Sequence, residues 1–313
     1  MLVSVVLLLI AEAVQRIRHP TENYSPELNT AGFRGPEMAV VKPAGRIRIF
    51  FIGASTTYGV SCPVEKTYPY LTGELLRVAM PEVDTETANA AMPGTSTAWI
   101  LKRLEDIAPF KPDILIVTTG YNDAVTVYTN QVKVEKNEKI VITPWYFQLH
   151  MFLRRHSVLY TSIKEKMSLI YYETPNYELP WMRFLKKDPN PISGEWFKFY
   201  PDQFKNSLLQ IDDWCQRHHV RLIFVEAPLR PGLERSRPLF AEALEALTGK
   251  LREASQERNI PTIQIQNLFQ KSDVGKDFLD DVHFSISGHS KISRALADFL
   301  VPWIEQLRNA EAI

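Results

Sequence analysis

The amino-acid sequence predicts an α/β fold: a five-stranded parallel sheet between two layers of helices. Short apolar runs alternate about five times with segments of helical periodicity. These runs lack the strict alternation of a sheet with one face in water, which indicates strands that are parallel and buried on both faces. The length of 313 residues suits one such domain carrying a large insertion.

The strands are predicted from apolar blocks that end at glycine, proline or polar loop residues. In chain order they are Ile47–Gly53, Val83–Ala90, Asp113–Thr119, Arg221–Glu226 and Thr262–Ile265. Between and after them, apolar side chains recur at helical spacing, which predicts helices that cover the sheet. The residues that mark these helices are Leu71, Leu75, Val78; Ile100, Leu104, Ile107; Phe204, Leu208, Ile211; Phe240, Leu244, Leu247; and Ile292, Leu296, Phe299.

Residues 124–203 interrupt the alternation of strands and helices. They contain many aromatic residues, among them Trp145, Tyr146, Trp181 and Trp196, but no convincing strand–helix unit. A structureless loop of this length inside one domain is uncommon, so we expect a helical cap or lid. The aromatic side chains either contact substrate or pack the insertion onto the domain, and the sequence leaves both interpretations open.

The N-terminus begins with an apolar stretch, Leu2–Ile10, which is about half the ~20 residues that a membrane-spanning helix needs. We interpret residues 1–19 as a shortened membrane anchor; an interfacial helix and a helix packed on the domain are the alternatives. Residues 20–45 are rich in Pro, Gly and Asn and are predicted to form a surface linker. The main domain is then expected at residues 46–310.

Composition excludes several classes of protein. Lys plus Arg and Asp plus Glu number 36 each, so the net charge is zero and no nucleic-acid partner is expected. Cys62 and Cys215 are too few for a disulfide framework and are expected to be free thiols. No phosphate loop, dinucleotide fingerprint or zinc-binding His-Glu-x-x-His helix occurs, so neither a cofactor nor a metal is expected.

Polar groups follow the first three predicted strands. Ser55 follows the first strand, Gly94 the second and Asn122 the third. Because ligands of parallel sheets lie beyond the carboxyl ends of the strands, these loops are expected to share one rim. The backbone N–H groups of Ser55 and Gly94 and the side-chain amide of Asn122 are donors suited to an oxyanion hole.

The fifth strand is followed by a candidate base and its orienting acid. A serine hydroxyl is a weak nucleophile until a base takes its proton, and that base is most often a histidine held by a carboxylate. Asp280 and His283 offer both groups within one turn before the last helix. The sequence therefore predicts Ser55, His283 and Asp280 as nucleophile, base and acid.

Four blocks carry a resemblance to a known family: Gly53-x-Ser55, Gly94, Gly120-x-Asn122-Asp123 and Asp280-x-x-His283. In this order they resemble the conserved blocks of the SGNH (GDSL-type) hydrolase superfamily. The resemblance spans about residues 46–310, apart from the insertion. It implies a flavodoxin-like sheet, a Ser-His-Asp triad and ester substrates.

One residue departs from the family pattern, and a second leaves open which aspartate is the partner of His283. The first block usually reads Gly-Asp-Ser, but Ala54 stands here in place of the acid. The triad chemistry does not need that acid, although the loop loses a polar side chain. Asp281 follows Asp280 directly, so it is the partner of His283 if the turn adopts another register.

The predicted activity is hydrolysis of a carboxylic ester, O-acetyl or lipid, on a small molecule or a glycan. A polysaccharide O-acetyltransferase with the same triad and a non-catalytic binding module are the alternatives. Gly32-Phe33-Arg34-Gly35 resembles bacterial members with an N-terminal membrane anchor, so we expect a membrane-associated protein facing outside the cytoplasm. Arg16 and Arg18 after the apolar stretch would instead favour a cytoplasmic domain. The oligomeric state is not predicted.

Overall fold

The structure is a computed structural model that describes residues 7–14, 28–60, 62–129, 194–270 and 274–311, with a few single positions between 153 and 163. The strands are β1 (Ile47–Gly53), β2 (Thr85–Asn89), β3 (Ile114–Thr119), β4 (Arg221–Glu226) and β5 (Thr262–Ile263). The helices are α1 (Ser55–Tyr58), α2 (Tyr68–Ala79), α3 (Thr97–Ile107), α4 (Tyr121–Thr129), α5 (Gly194–Arg217), α6 (Leu233–Ser236), α7 (Pro238–Arg258), α8 (Val274–Asp277) and α9 (Ile286–Glu311).

The five strands form one parallel sheet in the order β2-β1-β3-β4-β5. The chain runs outward from β1 to β2 and then returns to β3 on the other side of β1. The strand order therefore reverses between β1 and β3, and this is where open α/β sheets place their ligands. The predicted α/β class and the parallel five-stranded sheet are both confirmed.

Alternate residues of the three central strands, β1, β3 and β4, enter two separate cores. Phe50 and Ile52 of β1 face the core shared with α3, α5 and α7, whereas Ile49 and Phe51 face the core shared with α2 and α9. Since these central strands are buried on both faces, their sequences read as nearly continuous apolar runs. The result is the three-layer arrangement expected from the sequence.

β3 begins one residue later than predicted, at Ile114, whereas β2 and β5 are shorter for local reasons. The N–H of Val83 donates to Met80 O (3.0 Å) and closes a turn after α2, so the ladder with β1 begins only at Thr85. At the end of β5, Ile265 has φ −103° and ψ 3°, which leaves the extended region and starts a 3₁₀ turn. Val83 and Ile265 are apolar and buried although they lie in these turns, which is why the sequence pattern overshoots.

The expected surface path of residues 20–45 does not hold for the described residues 28–38. Phe33 is 1% exposed, and its ring packs edge-on against Phe50 (5.3 Å) and Phe110 (5.0 Å). Leu28 and Met38 are also buried. This segment lacks periodicity because it is held by single anchoring side chains rather than by a helix or strand.

Other predictions fall partly outside the described residues. Residues 124–129 and 194–203 lie in α4 and α5, but the predicted cap between them lies outside the described part.

Residues 7–14 are helical, and Glu12 accepts hydrogen bonds from Ser157 Oγ (2.7 Å) and Leu159 N (3.0 Å). No helix among the described residues has the length and apolarity needed to cross a bilayer. Cys62 and Cys215 are both buried, and neither forms a disulfide.

Candidate active site

Three side chains predicted from distant parts of the sequence meet at the carboxyl end of the sheet. Ser55 Oγ lies 2.8 Å from His283 Nε2, across 228 residues of chain. His283 Nδ1 lies 2.6 Å from Asp280 Oδ2. The imidazole is therefore held between the hydroxyl and the carboxylate, with one ring nitrogen facing each.

The turn that carries Asp280 and His283 is closed by the carboxylate itself. Asp280 Oδ1 accepts the backbone N–H groups of Val282 and His283, both at 2.8 Å. An antiparallel bridge between Phe278 and Phe284 joins the two ends of the turn. Asp280 thus uses one oxygen to shape the turn and the other to hold the ring.

The charge of Asp280 fixes the direction of these hydrogen bonds. Burial alone would raise the pKa of this carboxyl, but the charge of His283, the ring hydrogen bond and the two backbone N–H groups together hold the pKa below its ordinary value. Asp280 is therefore ionised at neutral pH and can only accept. His283 donates from Nδ1, which leaves Nε2 to accept the hydroxyl hydrogen of Ser55.

Asp281, the alternative partner of His283, instead forms ion pairs with two arginines. Its carboxylate pairs with Arg230 Nη1 (2.9 Å) and Arg237 Nε (3.1 Å), both on the segment that follows β4. Asp280, not Asp281, contacts the imidazole, which is the register predicted from the spacing.

Close packing shapes the turn before Ser55. A Cβ added at Gly53 would lie 2.3 Å from Thr57 Oγ1 and 2.4 Å from Thr118 O, so only glycine fits at the end of β1. The fully buried Thr57 accepts a hydrogen bond from Tyr68 OH (2.8 Å). Ala54 occupies the N-cap of α1, and no side chain caps this helix. Packing and hydroxyl contacts therefore hold the turn where the family pattern would place an aspartate.

The loops of the two remaining candidate donors are tied together. Asn122 lies in the first turn of α4, and its Nδ2 donates to Thr95 O at 2.9 Å. Gly94, just before Thr95, has a φ of 78°, a conformation that favours glycine. Ser55 is the first residue of α1, where a helical N–H has no intrahelical acceptor. The three predicted donors thus follow β1, β2 and β3 at the rim that carries Ser55, two of them in the first turns of helices and one in a loop.

Sequence reasoning missed the role of Asp123 beneath this rim. Its carboxylate is 2% exposed and accepts hydrogen bonds from Thr97 Oγ1 (2.9 Å), Thr119 Oγ1 (3.3 Å) and Tyr200 OH (3.0 Å). Burial raises the pKa of Asp123, and these donors oppose that rise. The contacts join the start of α3, the end of β3 and α5. The usable signal was the hydroxyl residues at the strand end and helix start.

The second histidine of this region is structural. His289 Nδ1 accepts the backbone N–H of Tyr68 at 3.2 Å. Burial, followed by the positive charges of Arg34 and His283, lowers the pKa of His289 to about 3. The ring is therefore neutral and packs between Tyr68 and Phe284.

A family model for the GDSL-like lipase/acylhydrolase family matches residues 51–291. The chain belongs to the GDSL-like lipase/acylhydrolase family. It is an enzyme of the serine ester hydrolase type. The match covers the three strand-end loops and the Asp280–His283 turn, so the resemblance inferred from the four blocks is confirmed. No curated protein matches this hydrolase.

Solved structures share the fold of this hydrolase at low sequence identity. The acetylxylan esterase Axe2 from Geobacillus stearothermophilus is 17% identical with a TM-score of 0.51, over 81% of this chain and 92% of that one. TesA is 13% identical with a TM-score of 0.50, over 82% and 98%. LAE5, an alpha/beta hydrolase enzyme from the metagenome of Lake Arreo in Spain, is 16% identical with a TM-score of 0.50, over 81% and 93%.

Proposed function

We propose that this hydrolase cleaves a carboxylic ester through an acyl-enzyme formed on Ser55. The observation that carries the proposal is the continuous contact from Ser55 Oγ through His283 to Asp280, at 2.8 Å and 2.6 Å. This geometry pairs a hydroxyl with a base whose Nε2 faces it and with an orienting acid that is ionised.

The first half of the reaction acylates the enzyme. His283 Nε2 takes the proton of Ser55 as Oγ attacks the ester carbonyl, and the carbonyl π electrons move to its oxygen. The charge of Asp280 stabilises the imidazolium that forms. When the intermediate collapses, the bond to the leaving alcohol breaks and His283 returns the proton to that alcohol. The acyl group remains on Ser55.

Water completes the cycle by the same groups. His283 takes a proton from water, whose oxygen attacks the acyl carbon, and the intermediate collapses to release the acid. The proton on His283 returns to Ser55 Oγ. No electron is gained or lost by the enzyme, so the reaction requires no redox partner.

Three donors stabilise the oxyanion in this proposal: the backbone N–H groups of Ser55 and Gly94, and the amide of Asn122. Support comes from their positions just after β1, β2 and β3, and from the hydrogen bond of Asn122 to Thr95 O, which joins the segments after β2 and β3. Removing one such donor typically lowers kcat by about 10²–10³-fold.

For the substrate, we propose an ester of a short acyl group, such as an acetyl group, on a glycan. The proposal is supported by the shared fold with Axe2, which is an acetylxylan esterase. The test is a panel of p-nitrophenyl esters of increasing chain length together with acetylated xylo-oligosaccharides. We expect the wild type to release acetate and Ser55→Ala, matched in fold by circular dichroism, to release none. Hydrolysis by Ser55→Ala at the wild-type rate would contradict the proposal.

The same panel separates hydrolysis from transfer. With an unacetylated glycan added, mass spectrometry of the products counts free acetate and newly acetylated glycan. Free acetate in excess supports the hydrolase. Faster transfer to the glycan than to water would make the enzyme an O-acetyltransferase that uses the same triad.

We also propose that the N-terminal helix, residues 7–14, enters a lipid surface. Leu7, Leu8, Leu9 and Ile10 are 60%, 61%, 65% and 54% exposed. Because successive helical residues are ~100° apart, these four positions surround the helix. A bilayer can cover every side, whereas a protein groove covers one. Flotation of the full chain with phospholipid vesicles is expected to fail for Leu8→Glu/Leu9→Glu. Flotation equal to that of the wild type would contradict the proposal, and orientation outside the cytoplasm stays a prediction.

A further inference from the structure

The helix that begins with Ser55 has little stability of its own. It comprises four residues, Ser55–Tyr58, and its N-cap is Ala54, whose methyl group cannot accept a hydrogen bond. One turn of helix gains almost nothing from cooperative propagation. Its geometry must therefore be set by contacts from outside the turn.

Arg34 makes those contacts at the carboxyl-terminal end of α1. Its Nη1 donates to Tyr58 O and, at 2.7 Å, to Gly59 O, while Nη2 donates to Cys62 O. The guanidinium carbon lies 4.5 Å from the centre of the Tyr58 ring. Arg34 is 5% exposed, so these charge-assisted hydrogen bonds lie in a site shielded from water.

Two of the carbonyls that Arg34 contacts, those of Tyr58 and Gly59, lie one helical turn from Ser55. The N–H groups of Gly59 and Val60 both donate to Ser55 O, at 2.9 Å and 3.1 Å. A Cβ added at Gly59 would lie 2.5 Å from Thr67 Cγ2 and 3.0 Å from Arg34 Nη1, so the glycine makes room for both side chains. Displacement of residues 58–60 is therefore transmitted directly to the residue that bears the hydroxyl.

The backbone of Arg34 is anchored independently. Its N–H donates to Asn89 O at 2.8 Å, and Asn89 Nδ2 donates to Thr57 O at 3.0 Å. The neighbouring Phe33 is buried in the core. Arg34 is thus attached to the end of β2 and reaches from there to α1. It lies outside residues 51–291, the range matched by the family model.

We propose that Arg34 is a positioning residue for the nucleophile: by holding the carbonyls of residues 58, 59 and 62, it keeps Ser55 Oγ in line with His283 Nε2. The inference rests on the proposed role of Ser55. In this chain, the hydrogen bonds of Arg34 restrain the carboxyl-terminal end of α1. Ala54 has no side-chain acceptor and cannot restrain the amino-terminal end.

Arg48 offers a matched control. It is fully buried and likewise donates to three carbonyls, those of Ala39 (2.6 Å), Val40 (3.2 Å) and Phe110 (2.7 Å), and it also pairs with Glu86 (2.8 Å). It lies near the amino-terminal end of β1, whereas Ser55 follows the carboxyl-terminal end of the same strand. Its loss lowers stability without touching the turn that carries Ser55.

The experiment compares Arg34→Lys and Arg48→Lys with the wild type. Lysine keeps the charge but lacks the planar fork that spans separated carbonyls. Both variants are expected to melt at lower temperature. Only Arg34→Lys should lose kcat, by about 10²-fold, because a misplacement of ~1 Å costs that much. KM for p-nitrophenyl acetate should stay nearly constant, since the loss is confined to the transition state.

Chemical rescue gives a second readout. In Arg34→Ala, millimolar guanidinium chloride is expected to restore kcat along a saturating curve, while Arg48→Ala gains no activity. If Arg34→Ala does not fold, the lysine pair carries the test alone. Kinetics of Arg34→Lys and Arg48→Lys that fall only in proportion to the folded fraction would overturn the positioning role.

Labelling of Ser55 by a fluorophosphonate keeps the two proposals distinct. If the wild type is labelled at Ser55 and Arg34→Lys is labelled at the same rate, the positioning role of Arg34 is refuted and the proposed function stands. A folded wild type that neither labels nor hydrolyses esters refutes the proposed function. Slow labelling of Arg34→Lys beside normal labelling of Arg48→Lys supports both.

Discussion

Replacing Asp280 with asparagine changes one atom of the site and tests the direction of its hydrogen bonds. Asparagine keeps an oxygen that can accept the N–H groups of Val282 and His283, both now 2.8 Å from Asp280 Oδ1, so the turn should survive. The atom that faces His283 Nδ1, now 2.6 Å away, becomes a donor. The ring must then accept at Nδ1 and carry its proton on Nε2, where it can no longer take the proton of Ser55.

The expected loss is about 10⁴-fold in kcat, the size typical of a triad whose histidine is held in the wrong tautomer. The assay is hydrolysis of p-nitrophenyl acetate, with thermal melting to confirm the fold. Asp281→Asn is the matched control. It weakens partly exposed ion pairs with Arg230 and Arg237, which are worth about 0–1 kcal/mol, and should leave kcat nearly unchanged. Asp280→Asn with kcat near the wild-type value, or equal losses in both variants, would refute the reasoning.

Three further predictions concern the same rim. Gly53→Ala is expected to abolish activity and lower the melting temperature, because its Cβ would lie 2.4 Å from Thr118 O; a normal melt with full activity would contradict this. Asn122→Ala should lower kcat about 10²–10³-fold with little change in KM, and steady-state kinetics showing a change in KM alone would remove it from the oxyanion hole. Asp280 has a lowered pKa, so its stabilisation is present above its unfolded value of about 3.9 and is lost as pH falls further, through the folded pKa. In urea unfolding, the free energy of unfolding of the wild type should exceed that of Asp280→Asn above about pH 4, and this difference should shrink below that pH. A difference that grows below pH 4 would contradict the predicted sign.

The sheet was predictable because burial on both faces leaves a direct mark on the sequence. β1 and β4 appear at the predicted residues, Ile47–Gly53 and Arg221–Glu226. The ends of β2 and β5 were not, since an apolar residue such as Val83 can lie in a turn and still be buried. Residues 28–38 were missed because anchoring by a single ring, that of Phe33, has no period to detect.

The site was predictable where topology alone brings residues together. Parallel strands place the loops of Ser55, Asn122 and His283 on one rim whatever the details of packing. The role of Asp123 was predictable only in part: the hydroxyl residues at the end of β3 and the start of α3 hint at it, but its contacts with Thr97 and Tyr200 depend on how α3 and α5 dock. The hydrogen bonds of Arg34 to the carbonyls after Ser55 were not predictable either, because they join residues 24 to 28 positions apart in the chain.

Covalent capture of the nucleophile tests the central claim most directly. The wild type is treated with a fluorophosphonate, and the modified residue is located by peptide mass spectrometry. One adduct at Ser55, formed much more slowly in His283→Ala and absent in Ser55→Ala, is the predicted result. An adduct on another residue, with Ser55 unmodified and ester hydrolysis intact, would contradict it.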